Sequence, residues 1–133
     1  MFYLMSEVDA QALYIHRKHV GLKHIYDEAP VAVEAAQRYW ERQLAVIADE
    51  LFCRRPGEDF LLGSTFQACD VLLGHLLLWA VSLRWLPVEA QPEDTEVALA
   101  YLRRLVQRPG FLAAAALGAF PNTAALEELG RGP

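Results

Sequence analysis

Histidine and carboxylate side chains near the amino end are the first candidates for chemistry. His16 and His19 stand three apart, His24 follows, and Asp27 and Glu28 come next. Two imidazoles and a carboxylate form a zinc ligand set. The segment His16-Arg17-Lys18-His19 reads equally as the solvated face of a helix whose cations repel a metal, and no metal site is assigned. His75 lies inside an apolar run and is expected to be a hydrogen-bonded core histidine rather than a ligand or base. No Ser–His–Asp order, paired carboxylates or glycine-rich phosphate loop stands out, so no residue is assigned as catalytic.

Cys53 and Cys69 form no Cys-x-x-Cys pair and are too few to staple a domain, which points to a reducing compartment, the cytoplasm. A helix start lowers a thiol pKa, and Cys69 falls in a first helical turn. Its neighbour Asp70 and the expected burial oppose that, so inert packing is the expectation for Cys69. Cys53, at a helix end beside Arg54 and Arg55, is the better placed thiol for reaction.

All these side chains sit in a chain of 133 residues, long enough for one domain with a real core. Apolar residues at 54% and charged ones at 22% exclude a disordered chain. Twelve basic against seventeen acidic residues leave a net charge of −5, the wrong sign for a nucleic-acid partner. Leu (21) and Ala (20) far outnumber Val (10), Ile (3) and Thr (3). Leu and Ala lose little on entering a helix, whereas β-branched residues fill strands. The composition predicts an all-α single bundle of five to six helices over 1–133. The tail 119–133 is expected to be loosely packed, with a turn or two from Thr123 to Leu129.

The first helix is expected over 3–22, interrupted by Gly21. Pro30 opens the second, because an N-terminal position lacks only an N–H that would be unpaired there anyway. Val33, Ala36, Trp40, Leu44, Ile47 and Leu51 then recur at steps of three and four. Arg54-Arg55-Pro56-Gly57 forces a turn. The third helix starts near Ala68 and ends before Pro87. Its greasy run from Val71 to Leu83 is thirteen residues, short of the roughly 18 needed to span a membrane. A run apolar nearly all round is the buried centre of a bundle. Pro92, Glu93 and Asp94 open the fourth helix and Arg103, Arg104 and Arg108 close it, matching the helix dipole. A short fifth helix runs from Pro109 through Ala113–Ala116 to Gly118. The apolar start, Met1-Phe2-Tyr3-Leu4-Met5, has no basic region and is ended by Glu7 and Asp9, unlike a signal peptide.

Before the third helix stands Gly63-Ser64-Thr65-Phe66-Gln67-Ala68-Cys69-Asp70. With Gln67 as N-cap, Asp70 takes the third helical position, where its carboxylate accepts from the free N–H groups of the first turn. Phe66 and Val71 occupy the two positions of a hydrophobic staple. By itself this is a folding signal.

Taken with Phe60-Leu61-Leu62-Gly63, the segment Phe66-Gln67-Ala68-Cys69-Asp70 resembles the loop and capping box before the buried core helix of glutathione transferases. Ala100-Tyr101-Leu102-Arg103-Arg104-Leu105 with Arg108-Pro109-Gly110-Phe111 is similar to that family's late helix and its Arg-Pro-x-Phe junction. The order and spacing hold over nearly the whole chain, and they correspond to the family's helical carboxy-terminal domain alone. Gln67 departs from the family's Ser or Thr at the N-cap. The resemblance implies a pocket for a hydrophobic electrophile and part of a dimer interface. Glutathione would be the co-substrate, held and activated by a thioredoxin-like domain that this segment does not contain.

Ser6, Asp9, Ala10, Leu13 and Arg17 fall on one side of an α-helix. Matched onto the family's first helix of this domain, Asp9 and Ala10 reach the substrate cleft, with Leu13 and Tyr14 deeper along it and Arg17 beyond. A plain capping box of Ser6 with Asp9 is the equal alternative. Phe120 to Leu129 is expected to close over the same cleft. Partners follow from the lineage: a homo-oligomer or a thioredoxin-like domain, no nucleic acid and no membrane. A stand-alone helical adaptor module derived from the same family is the alternative function. The amino-terminal Phe2, Tyr3 and Met5 are expected to be exposed.

Overall fold

The computed structural model describes residues 1–117, and helices make up its regular structure. The expected tail, the Gly118 stop and the Phe120–Leu129 cover lie outside the described residues. Helical winding begins at once and changes type along the first rod: π1 (Leu4–Leu13), α1 (Tyr14–His16) and π2 (Arg17–Gly21). Then come α2 (Lys23–Tyr26), α3 (Pro30–Phe52), α4 (Ala68–Ser82), α5 (Pro92–Val106) and α6 (Pro109–Ala116). The proline and charge signals place the long helices well. Pro30 and Pro92 both stand in the first turn, Glu93 and Asp94 open α5, and Arg103 and Arg104 close it. Arg108 corrects the reading: α5 ends at Val106, so Arg108 belongs to the junction with α6.

Winding of the first rod departs from expectation. The N–H of Tyr14 reaches the carbonyl of Asp9, and that of Leu22 reaches Arg17 at 2.8 Å, each five residues back. Such bonds place residues four and five apart over one another instead of three and four. The buried set is accordingly Leu4, Val8, Ala12 and Leu13. Ser6 lies well inside the helix, whose N-cap is Tyr3, so the Ser6–Asp9 capping box is excluded.

α3 buries Ala36, Trp40, Leu44, Ile47, Ala48 and Leu51, the anticipated stripe with Val33 left half-buried. It packs on π1 and α5, and these two also flank α4. Trp40 Nε1 donates to the Trp85 carbonyl at 3.1 Å, tying α3 to the chain leaving α4. α4 buries Cys69, Asp70, Leu73, Gly74, Leu76, Leu77, Leu78 and Ala80, and so forms the core. It is open along one strip, where Ala68, Val71 and His75 are exposed at helical spacing. His75 is therefore exposed rather than the core histidine expected, standing on the strip of α4 that borders the junction with α6. α5 and α6 both meet α4 at Gly74, where a Cβ would stand 2.9 Å from Leu105 Cδ1 and 3.1 Å from the Phe111 ring.

The segment between α3 and α4 is held by turns. Gly57 at φ +89° and Gly63 at φ +117° adopt conformations that side chains disfavour. At Phe60-Leu61-Leu62-Gly63 the chain reverses, with Phe60 and Gly63 exchanging backbone hydrogen bonds of 2.9 and 3.1 Å. That reversal aims the Leu61 N–H at α4. No helix among the described residues is long and apolar enough to cross a membrane.

Candidate functional site

Asp70 stands at the convergence of the loop, α4 and α5. It is fully buried. Its Oδ1 accepts from the Leu61 N–H at 2.7 Å and from the Tyr101 hydroxyl, while Oδ2 accepts from the Gln67 N–H at 2.7 Å. The bond from Gln67 closes the predicted box. The other two reach further than the sequence reading allowed, into the loop and across to α5. Asp70 has no ion-pair partner among the described residues. Burial first, then the bond to Asp70 and its charge, push the Tyr101 phenol far above its ordinary range, while Arg54 pulls it back. The Arg54 guanidinium lies 4.9 Å from the Tyr101 ring centre and that of Arg104 at 5.7 Å. Cys69 is buried beside the carboxylate, and its thiol pKa rises through burial and the Asp70 charge, as suits an inert packing residue.

The staple residues part company. Phe66 packs half-buried, edge-on to Phe60 at 5.4 Å, and Val71 stays 52% exposed on the open strip of α4. Both line a cavity of about 590 Å³ together with His75, Arg108, Pro109, Gly110, Phe111 and Ala114.

The first-helix residues are also separated. Leu13 is in the core, Ala10, Tyr14 and Arg17 are exposed, and Asp9 is half-buried. They do not share one face, because the i→i+5 winding turns Leu13 inward. Asp9 is the informative member. Its Oδ1 is buried without a hydrogen-bond partner. Burial raises its carboxyl pKa, and the charges of His75 and then Arg17 work against the rise. His75 is lowered by burial and supported by Asp9, so the carboxyl and the imidazole feel each other between π1 and α4. Sequence reasoning gave Asp9 but assigned His75 to the core.

His16 and His19 are engaged elsewhere. His16 packs edge-on to Trp85 at 5.5 Å, and His19 Nδ1 lies 2.9 Å from the Asp27 carbonyl. No group of three metal-ligating side chains gathers among the described residues. Tyr3, expected to be exposed, is half-buried because its hydroxyl donates to Gln43 Oε1 at 2.6 Å; Phe2 and Met5 are exposed. Comparison with family models, curated proteins and solved structures gives no match to this chain.

Two measurements follow. Asp70→Ala leaves the donors of Leu61, Gln67 and Tyr101 without their acceptor, and should cost on the order of 1–3 kcal/mol in urea melts. Asp70→Asn should cost less, since its amide oxygen still accepts. A wild-type midpoint for Asp70→Ala would refute the anchoring role.

Asp9 carries the opposite sign. A pKa raised on folding means that the fold disfavours the carboxylate, so stability is lost as pH rises through the native value. Asp9→Asn should therefore melt above wild type at pH 7 and converge on it near pH 3. Equal displacement at both pH values would show that the charge is not the cause.

Proposed function

We propose that this chain is the helical half of a glutathione transferase-like protein, shaping an electrophile pocket beside a glutathione site held by a thioredoxin-like domain. The observation that carries the reading is the Asp70 carboxylate. In the resemblance drawn from sequence, the Phe-Leu-Leu-Gly loop, the capping box and the late helix with Tyr101 are separate motifs. Here one buried side chain bonds to all three through Leu61, Gln67 and Tyr101. Asp9 then stands on the helix that the lineage assigns to the cleft, where the charge of His75 acts on its carboxyl. Exposed Phe2 (83%) and Met5 (55%) add apolar surface suited to a partner domain or a second copy.

Neither this reading nor its alternative, a helical adaptor module, gives the chain activity of its own. The 133-residue chain alone should not accelerate conjugation of glutathione to an aryl halide, because none of its described residues forms a site that orients and ionises the thiol. Steady-state rates well above the uncatalysed reaction would overturn that division of labour. A thioredoxin-like reading frame immediately upstream of the coding sequence would support the transferase reading, and an unrelated one the adaptor.

Association is expected under either reading. Light scattering coupled to gel filtration should find the isolated chain self-associated at high concentration. A clean monomer would count against the exposed amino-terminal residues being an interface.

A further inference from the structure

The cavity beside α4 has a chemical character of its own. Its lining is apolar on three sides: Phe66 and Val71 at the entry to α4, and Phe111 on α6. Among the described residues no carboxylate lines it, although the chain holds seventeen acidic residues against twelve basic ones. The cation in its wall is Arg108. Its guanidinium lies 3.8 Å from the Phe66 ring centre and 5.4 Å from that of Phe60. Arginine stacked on a ring keeps its N–H edges available in the ring plane while one flat face is covered. Four described basic side chains pair with acids: Lys23 with Glu28, Arg38 with Glu34, Arg103 with Glu96 and Arg104 with Asp59. Arg108 is in no such pair among the described residues, and it lines a space of about 590 Å³, within the range of roughly 300–1,000 Å³ typical of small-molecule sites.

We propose that this cleft binds a small amphipathic carboxylate, its anionic head bidentate on Arg108 and its apolar body along Phe66, Val71 and Phe111. The planar fork of arginine matches a carboxylate with two parallel hydrogen bonds. Stacking on Phe66 fixes that fork in advance, so little freedom is lost when the anion arrives. A single positive group in an apolar wall selects one negative charge on a greasy molecule, and disfavours dianions and cations. The assignment shares only His75 with the transferase reading, which places its pocket on the first helical rod.

The test titrates the 133-residue chain with octanoate and with phenylacetate, using octan-1-ol as the uncharged control. Calorimetry gives affinity, and amide chemical shifts give the place. Saturable binding of either carboxylate is expected, with shifts centred on Val71, His75 and Gly110, and the tighter of the two tells whether the body is aliphatic or aromatic. Octan-1-ol should bind at least about tenfold more weakly than octanoate, the scale of one charge-assisted pair. Arg108→Gln should remove that difference. Val71→Trp, at an exposed position that fills the cleft without touching the cation, should weaken carboxylate and alcohol alike. The comparison of octanoate with octan-1-ol on the wild-type chain needs no variant to fold. No saturable carboxylate binding, equal binding of acid and alcohol, or shifts centred elsewhere would overturn the proposal.

Discussion

A carboxylate with no access to water governs the architecture. Removing such an ion from solvent costs several kcal/mol, and only a full set of well-placed donors offsets it. Asp70 receives them from two parts of the chain: Leu61 and Gln67 in the loop before it, and Tyr101 on α5. Each donor must arrive at a fixed position, so the carboxylate sets the loop path, the start of α4 and the placement of α5 together. The loop between α3 and α4 is held besides by the Phe60–Gly63 reversal and the packing of Phe60 on Phe66. Hydrophobic packing would tolerate several offsets of α5 against α4; a buried charge with specific donors tolerates few.

Around this anchor the positive charges are arranged on rings. Arg54 and Arg104 lie over Tyr101, and Arg108 lies over Phe66 and Phe60. Arg54, whose guanidinium nitrogens are buried, brings positive charge to the Tyr101 side of the anchor without displacing the bonds that hold it. An aromatic face accepts a cation without demanding a second ion. A chain with a net charge of −5 thus concentrates cations on one flank, where α4, α5 and the loop meet.

Much of the helical plan was legible in the sequence because its signals are local. Prolines at 30, 92 and 109 and the charge order of α5 speak for their own turns, and α3 needs only its stripe. Asp70 was legible as a cap from three-residue spacing. Its bonds to Leu61 and Tyr101 were not, since neither donor lies at a helical interval from it. The first rod misled for a different reason. Side-chain spacing was converted to faces with an α-helical step, and the backbone there closes five-residue rings, which sends Leu13 into the core and leaves Ala10 and Arg17 outside. His75 was misplaced because an apolar run does not reveal which strip of a helix its neighbours leave open. Arg108 was credited to a helix terminus when its ring partners sit more than forty residues upstream.

The distribution of indoles has an optical consequence. Trp40 is fully buried and Trp85 is 6% exposed, and the two are joined by the Nε1–carbonyl bond. Trp79 is half-buried near the open strip of α4, its ring centre 6.0 Å from that of His75. The chain therefore carries two kinds of built-in reporter. Trp40 and Trp85 emit from a dry interior and register loss of the fold, whereas Trp79 senses hydration and imidazole charge along the strip that borders the cleft.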